Sequence, residues 1–372
     1  MRYYIIAGEA SGDLHASNLM KHLKQKDADA LFRCWGGDLM QQQGGDIVKH
    51  YRDLAFMGFA EVVANLRTIL KNIEFCKKDI LNYKPDVLIL VDYPGFNLRI
   101  ADFAKANGFK VFYYISPQIW AWKESRVHQI KRSVDAMFTI LPFEEEFYKK
   151  YNFPVHFVGH PLLDAIANRK EKLSLSDFCK KHQLPEKPII ALLPGSRKQE
   201  IKKMLPIMFE TSKAFPQYQF VVAGAPSMPL DFYKEVLNGK QISIIQGATY
   251  DLLEQSKAAL VTSGTATLET ALFNIPEVVC YTGGTISYYI ARALIKVKYI
   301  SLVNLIMDKE LVKELIQHDF NVTTLNKELD KLLNDKIYRE NMLQGFKELK
   351  SKLGGEGASE RAAAKMYALL KS

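Results

Sequence analysis

Short runs of β-branched and aromatic residues alternate with helical patterns along this 372-residue chain, and glycine, proline and hydroxyl residues fall after each run and before each helix. That is the order of a βα unit, and it restricts the chain to parallel sheets joined by crossover helices. In the first half the runs predict strands at 3–7, 31–35, 87–92, 111–115, 136–140 and 155–158. The unbroken apolar run Val87-Leu88-Ile89-Leu90-Val91 suits a strand covered on both faces. A helix is expected over 98–107, with Asn97 capping its start and Gly108 taking the left-handed conformation that ends it.

After Gly159-His160-Pro161 the pattern breaks into a lysine-rich, proline-punctuated stretch at 169–187. A second series of strands follows at 189–193, 219–223, 242–245, 259–262 and 277–280. The fold class is therefore α/β, two Rossmann-like domains facing a cleft, with the first domain at 1–165 and the second at 166–350. Residues 351–372 add Gly354-Gly355-Glu356-Gly357 and an alanine-rich helix. That helix either packs back on the first domain or exchanges with a partner chain, which leaves a homodimer open.

Fifty basic against 41 acidic side chains give a formal net charge of +9, which favours phosphate, nucleic acid or an acidic membrane surface. With no nucleic-acid motif in the chain, nucleic acid is not expected as a partner. Cys34, Cys76, Cys179 and Cys280 are scattered without metal-ligand spacing, so neither a disulfide framework nor a zinc site is suggested, and a reducing cytoplasm fits best. No run reaches the roughly 18 apolar residues of a membrane span, so membrane contact is expected to be peripheral.

Ligands of open α/β sheets sit beyond the carboxyl ends of the strands, which directs attention to the loops there. Ala7-Gly8-Glu9-Ala10-Ser11-Gly12-Asp13 is either a ligand loop with Ser11 at its helix start or a plain βα turn of small residues. In Val91-Asp92-Tyr93-Pro94-Gly95-Phe96-Asn97, Asp92 ends the most apolar strand; burial there would raise its pKa and suit a general base, the competing role being a turn-forming Asp. Leu193-Pro194-Gly195-Ser196-Arg197 opens the second domain with Arg197 as a candidate for charge-assisted bonds to a phosphate and Gly195 and Ser196 as backbone donors at the helix start, the competing reading being a surface arginine that caps nothing. Thr262-Ser263-Gly264-Thr265-Ala266-Thr267-Leu268-Glu269 offers a diphosphate-sized helix start at Ser263, Gly264 and Thr265, with Glu269 placed to accept two ribose hydroxyls; an ordinary N-cap series reads the same way. Asn304 is a candidate for binding a sugar or amide, whereas the helical pattern after it, carrying Glu310 and Gln317, reads equally as a merely amphipathic helix. P-loop, HExxH and GxSxG motifs are absent. His160, before Pro161, reads as a structural histidine.

Between Leu54 and Leu81 lies an amphipathic stretch with Phe56, Met57, Val62, Leu66, Ile69 and Leu70 beside Arg67, Lys71, Lys77 and Lys78. It holds more large apolar residues than one buried stripe uses, which points to lipid or acyl-chain contact, against a core helix with one solvated face.

The ordered set Ala7-Gly8-Glu9-Ala10-Ser11-Gly12-Asp13, Ser116-Pro117-Gln118-Ile119-Trp120-Ala121-Trp122, Leu141-Pro142-Phe143-Glu144, Leu192-Leu193-Pro194-Gly195-Ser196-Arg197 and Ser263-Gly264-Thr265-Ala266-Thr267-Leu268-Glu269 resembles the lipid-A-disaccharide synthase family. The resemblance implies a GT-B glycosyltransferase joining UDP-2,3-diacylglucosamine to 2,3-diacylglucosamine 1-phosphate with inversion, and releasing UDP. It implies no metal and no cofactor, and a cytoplasmic enzyme peripheral on an anionic inner membrane. By position, Ser196, Arg197, Gly264, Thr265, Glu269 and Asn304 would hold the UDP-sugar, with Glu310 and Gln317 near the sugar or uridine. Gly95 stands where many members carry a second acid, which leaves Asp92 and Asp13 as candidate bases, and Val303 stands where proline is common. A soluble UDP-N-acetylglucosamine 2-epimerase shares the two-domain pattern and the hydroxyl-rich turn.

Overall fold

A computed structural model describes residues 1–54, 66–169, 173–283 and 297–371. The chain divides into two compact units, the first comprising Met1–Ala167 with Leu353–Ser372, the second Asn168–Lys352.

The first unit is a seven-stranded parallel sheet of β1 (Arg2–Ala7), β2 (Leu31–Gly36), β3 (Gly45–His50), β4 (Val87–Val91), β5 (Val111–Tyr114), β6 (Ala136–Thr139) and β7 (His156–Phe157). Its order is β3-β2-β1-β4-β5-β6-β7, so the winding reverses between β1 and β4, which pair from Tyr3 opposite Val87 to Ala7 opposite Val91. Every side chain of β4 is fully buried, each stabilising the fold by roughly 1.5–3 kcal/mol in hydrophobic transfer. The second unit carries β8 (Ile189–Leu193), β9 (Gln219–Gly224), β10 (Ser243–Gln246), β11 (Ser256–Thr262), β12 (Glu277–Tyr281) and β13 (Lys313–Ile316) in the order β10-β9-β8-β11-β12-β13, reversing between β8 and β11.

Three local expectations are corrected. Strand β3 is a half-exposed edge strand with polar Asp46, Lys49 and His50, so it lacks the apolar run that marks the others. Residues 313–316, expected to continue a helix, form the opposite edge strand β13, in which only Leu315 is buried. The helix expected from Leu98 starts earlier, at Pro94–Ala106 with Tyr93 as its cap, and Asn97 lies inside it.

Helix Leu66–Tyr83 lays Ile73, Cys76 and Ile80 into the core at helical spacing. Asp79 fixes it from below, accepting the Tyr4 hydroxyl at 2.7 Å and both arms of the Arg33 fork at 2.9 and 2.7 Å. Its other face leaves Leu70, Phe75 and Leu81 between 42 and 48% exposed beside exposed Arg67, Lys71 and Lys78. The helix thus has both a core stripe and an apolar, basic outer face. Phe56, Met57 and Val62 lie outside the described residues, as does the side chain of Leu66; Ile69 is half-buried.

The last helix, Ala358–Lys371, packs along helix Ala10–Lys26 of the first unit. Asp164 receives the backbone N–H groups of Gly357, Ala358 and Ser359 at 2.6, 3.3 and 2.8 Å, a carboxylate cap where the helix dipole favours negative charge.

Candidate active site

In each unit the predicted polar loops fall at the reversal of strand order, where neighbouring loops diverge and leave a crevice. In the first unit these are the loops after β1 and β4, and in the second those after β8 and β11.

Asp92 and Tyr93 both have left-handed backbone, at φ 45° and 50°, a conformation that costs a non-glycine residue of order 1–3 kcal/mol. Asp92's carbonyl is held by the Asn97 amide at 2.7 Å and the Tyr113 hydroxyl at 2.5 Å, which offsets that strain. Tyr93's ring lies on Gly8 so closely that a Cβ there would be 2.4 Å from it, which fixes glycine at this position. The Asp92 carboxyl is pushed up to about 6, first by burial and second by the negative charge of Glu9. Glu9 caps helix Ala10–Lys26 from the neighbouring loop. Sequence reasoning gave Glu9 and Tyr113 no role, although Glu9 stands inside a quoted motif; their relation to Asp92 appears only when β1, β4 and β5 pair side by side.

Asp13, the other candidate base, is a structural cap. Its oxygens accept the backbone N–H groups of Gly37, Leu39 and Met40 at 2.8, 3.1 and 3.1 Å, fixing the start of helix Asp38–Gln42, and it is buried. Ser11 is exposed on the first turn of its helix. His160 is buried, its Nδ1 accepting the Leu162 N–H at 3.2 Å, and burial holds it neutral with its pKa down to about 3.

In the second unit Gly195 has φ 101°, and a Cβ there would be 2.5 Å from Glu200 Oε2. Glu200 folds back over this loop, accepting the N–H groups of Ser196 and Arg197 at 3.2 and 3.3 Å and pairing with Arg197 Nη1 at 3.1 Å. Glu200 stands three positions after Arg197, a capping-box spacing legible in the sequence. Ser196 and Arg197 stay exposed.

After the adjacent strand β11, Gly264 (φ 152°) caps helix Thr265–Leu272 and leaves Thr265 exposed at its first turn. Ser263 Oγ donates to the Ile300 carbonyl at 2.9 Å. Glu269 accepts the Tyr250 hydroxyl at 2.6 Å through Oε1, and burial raises its pKa.

Asn304 corrects the sequence reading. It is fully buried and uses its whole hydrogen-bonding capacity internally: Nδ2 donates to the Val312 carbonyl and Glu314, both at 2.9 Å, and Oδ1 accepts from Leu311 and Val312 at 2.8 and 3.0 Å. It clamps the entry to β13 and has no group left for a ligand. Glu310 is exposed and paired with Lys313 at 3.1 Å. Gln317 Oε1 receives Thr282 Oγ1 and the Gly283 N–H at 2.8 and 3.1 Å, tying the end of β13 to that of β12.

Two parallel α/β units, each with polar loops at its reversal point, and a hydroxyl-rich helix start next to an arginine loop in the second, define the GT-B class of fold. The sequence narrows this further. It matches the lipid-A-disaccharide synthetase family over residues 3–366, and the chain belongs to that family. It is 39% identical to the lipid-A-disaccharide synthase of Syntrophus aciditrophicus, covering 99% of this chain and 97% of that one. Against the Geobacter metallireducens synthase the identity is 37%, with 97% and 95% covered. Among solved structures the fold is similar to a Neisseria meningitidis UDP-GlcNAc 2-epimerase bound to UDP-GlcNAc (TM-score 0.69, 13% identity, both chains covered fully). It is also similar to a Methanocaldococcus jannaschii UDP-GlcNAc 2-epimerase in complex with UDP-GlcNAc and UDP (TM-score 0.67, 14% identity, 99% and 100% covered). The likeness to the epimerases is one of fold, and the sequence relationship is to the synthases.

Proposed function

We propose that this chain transfers 2,3-diacylglucosamine from UDP-2,3-diacylglucosamine to the 6-hydroxyl of 2,3-diacylglucosamine 1-phosphate. Asp92 takes the hydroxyl proton, the oxygen attacks the anomeric carbon from the face opposite UDP, and the C1–O bond breaks with its electron pair leaving on UDP. The products are a β-1,6-linked disaccharide 1-phosphate and UDP. The observation that carries this reading is the Asp92 carboxyl at the reversal of the first sheet, its pKa pushed to about 6, so that it is ionised at neutral pH yet basic enough to accept a proton.

Asp92 is preferred to Asp13 because the latter's oxygens are spent on backbone N–H groups. Charge developing on UDP is met by Arg197 and by the N–H groups at the start of helix Thr265–Leu272, with Ser196 and Thr265 beside them. Glu269, held by Tyr250 through one oxygen, offers the other to the ribose. The reading employs no metal and no cofactor. Among the described residues no helix is long and apolar enough to cross a membrane. The outer face of helix Leu66–Tyr83, with Leu70, Phe75 and Leu81 among basic residues, supports peripheral attachment to an anionic bilayer on its cytoplasmic side.

Turnover of the two acylated substrates in detergent tests this. Asp92→Asn is expected to lose a factor of about 10² or more in kcat with UDP binding retained, and Arg197→Ala to weaken UDP-sugar binding. Folded wild type that forms no product, or a fully active Asp92→Asn, would overturn the reading.

A further inference from the structure

Helix Ile119–Trp122 is a single turn after β5, and residues two apart on a helix point about 200° apart. Trp120 is accordingly buried, edge-to-face on Phe143 at 4.8 Å between ring centroids, while Trp122 is 56% exposed. The turn is anchored from below by the buried Ser116 hydroxyl, 2.7 Å from that of Tyr148. A rigid platform thus presents an indole to solvent, where its apolar surface gains nothing for the fold.

Two cations lie over that indole, with Lys123 Nζ and Arg126 Cζ each 5.5 Å from the ring centroid. Among the described residues neither has a carboxylate within ion-pairing distance. The intervening Glu124 instead accepts the Tyr151 hydroxyl at 3.0 Å. Strand β5 neighbours β4, with Val91 opposite Tyr114, so this platform and Asp92 project from adjacent strand ends. Tyr113, whose hydroxyl bonds the Asp92 carbonyl, lies within electrostatic reach of both Asp92 and Arg126.

We propose that Lys123 and Arg126, braced on Trp122, form the subsite for the phosphate monoester of the acceptor. This rests on the transferase reading above. A planar guanidinium beside a mobile ammonium matches a phosphate dianion, the first by paired hydrogen bonds and the second by point charge.

The test measures steady-state kinetics of wild type, Lys123→Ala, Arg126→Ala and Arg126→Gln in detergent. The expected result is an acceptor KM raised about tenfold to a hundredfold, the worth of one charge-assisted bond, with kcat and the donor KM within twofold. With 2,3-diacylglucosamine lacking the phosphate, wild type and variants should perform alike. An unchanged acceptor KM in all the variants overturns the proposal. So does an Arg126→Ala protein that loses sedimentation with phosphatidylglycerol vesicles while keeping its acceptor KM, because the cations then serve bilayer phosphates. If wild type makes no product, the transferase reading fails and Trp122 fluorescence decides the subsite: saturable quenching by glucosamine 1-phosphate that Arg126→Ala abolishes supports it, and no response refutes it.

Discussion

Replacing Glu277 with glutamine is expected to stabilise the second unit at neutral pH, by an amount that grows as pH rises. Glu277 is the first residue of β12, opposite Ala259 of β11, and its side chain is wholly buried with neither carboxyl oxygen hydrogen-bonded. Burial alone raises its pKa well above the ordinary 4.5. The folded state therefore binds this proton more tightly than the unfolded chain does. Stability is undiminished below about 4.5 and falls as pH rises from there toward the folded pKa, by roughly 1.4 kcal/mol per pH unit. Glutamine, of the same shape and neutral throughout, removes this pH-dependent loss. For a unit of this size that slope corresponds to roughly 3–6 °C in melting temperature per pH unit. All three tryptophans, Trp35, Trp120 and Trp122, lie in the first unit, so their fluorescence would miss the effect. Hydrogen exchange of the β12 amides Val278, Val279 and Cys280 at pH 5, 6, 7 and 8 reads it directly. The reasoning is refuted if wild type and Glu277→Gln differ by a constant amount across that range.

Three further outcomes follow from the same geometry. Since Asp92 must be ionised to accept a proton, kcat/KM should fall tenfold per pH unit below about 6, and Glu9→Gln should move that limb to lower pH by removing a negative neighbour; pH–rate profiles of the two proteins check both. Gly195→Ala forces a Cβ against Glu200 at φ 101°, so it should cost about 1–3 kcal/mol and weaken UDP binding, as read by calorimetry and thermal melts. Asp164→Asn removes the charge that caps the last helix, which should lower the stability of the first unit by about 1–2 kcal/mol and speed amide exchange in Ala358–Lys371.

What the sequence made legible was the interior of each sheet. Strands such as Val87–Val91 and Ile189–Leu193 are buried on both faces, and burial on both faces writes an unbroken apolar run. The edge strands Gly45–His50 and Lys313–Ile316 were missed because a half-exposed edge keeps polar residues and so lacks the unbroken apolar run. The loops that matter were also legible, since glycine at 8, 195 and 264 answers to a close ring, a folded-back carboxylate and a positive φ. What the loops do to one another was not, because Glu9, Asp92 and Tyr113 meet only across paired strands.

The polar residues of the quoted loops divide by a criterion the sequence does not display, namely whether their hydrogen-bonding capacity is already spent. Asp13 and Glu200 direct their carboxylates to backbone N–H groups, and Asn304 uses all four of its bonds, so each holds a loop in place. Ser196, Arg197 and Thr265 stay exposed around the loops those residues fix, and Asp92 has its backbone, not its carboxylate, tied down by Asn97 and Tyr113. Removing a residue of the first kind should therefore lower stability and activity together, through a displaced loop, whereas removing one of the second should lower activity alone. Asp13→Asn against Asp92→Asn is the sharpest such pair, for the two carboxylates follow neighbouring strands of one sheet. If Asp13→Asn kept full stability while abolishing turnover, hydrogen-bond satisfaction would be the wrong guide to which acid does the chemistry.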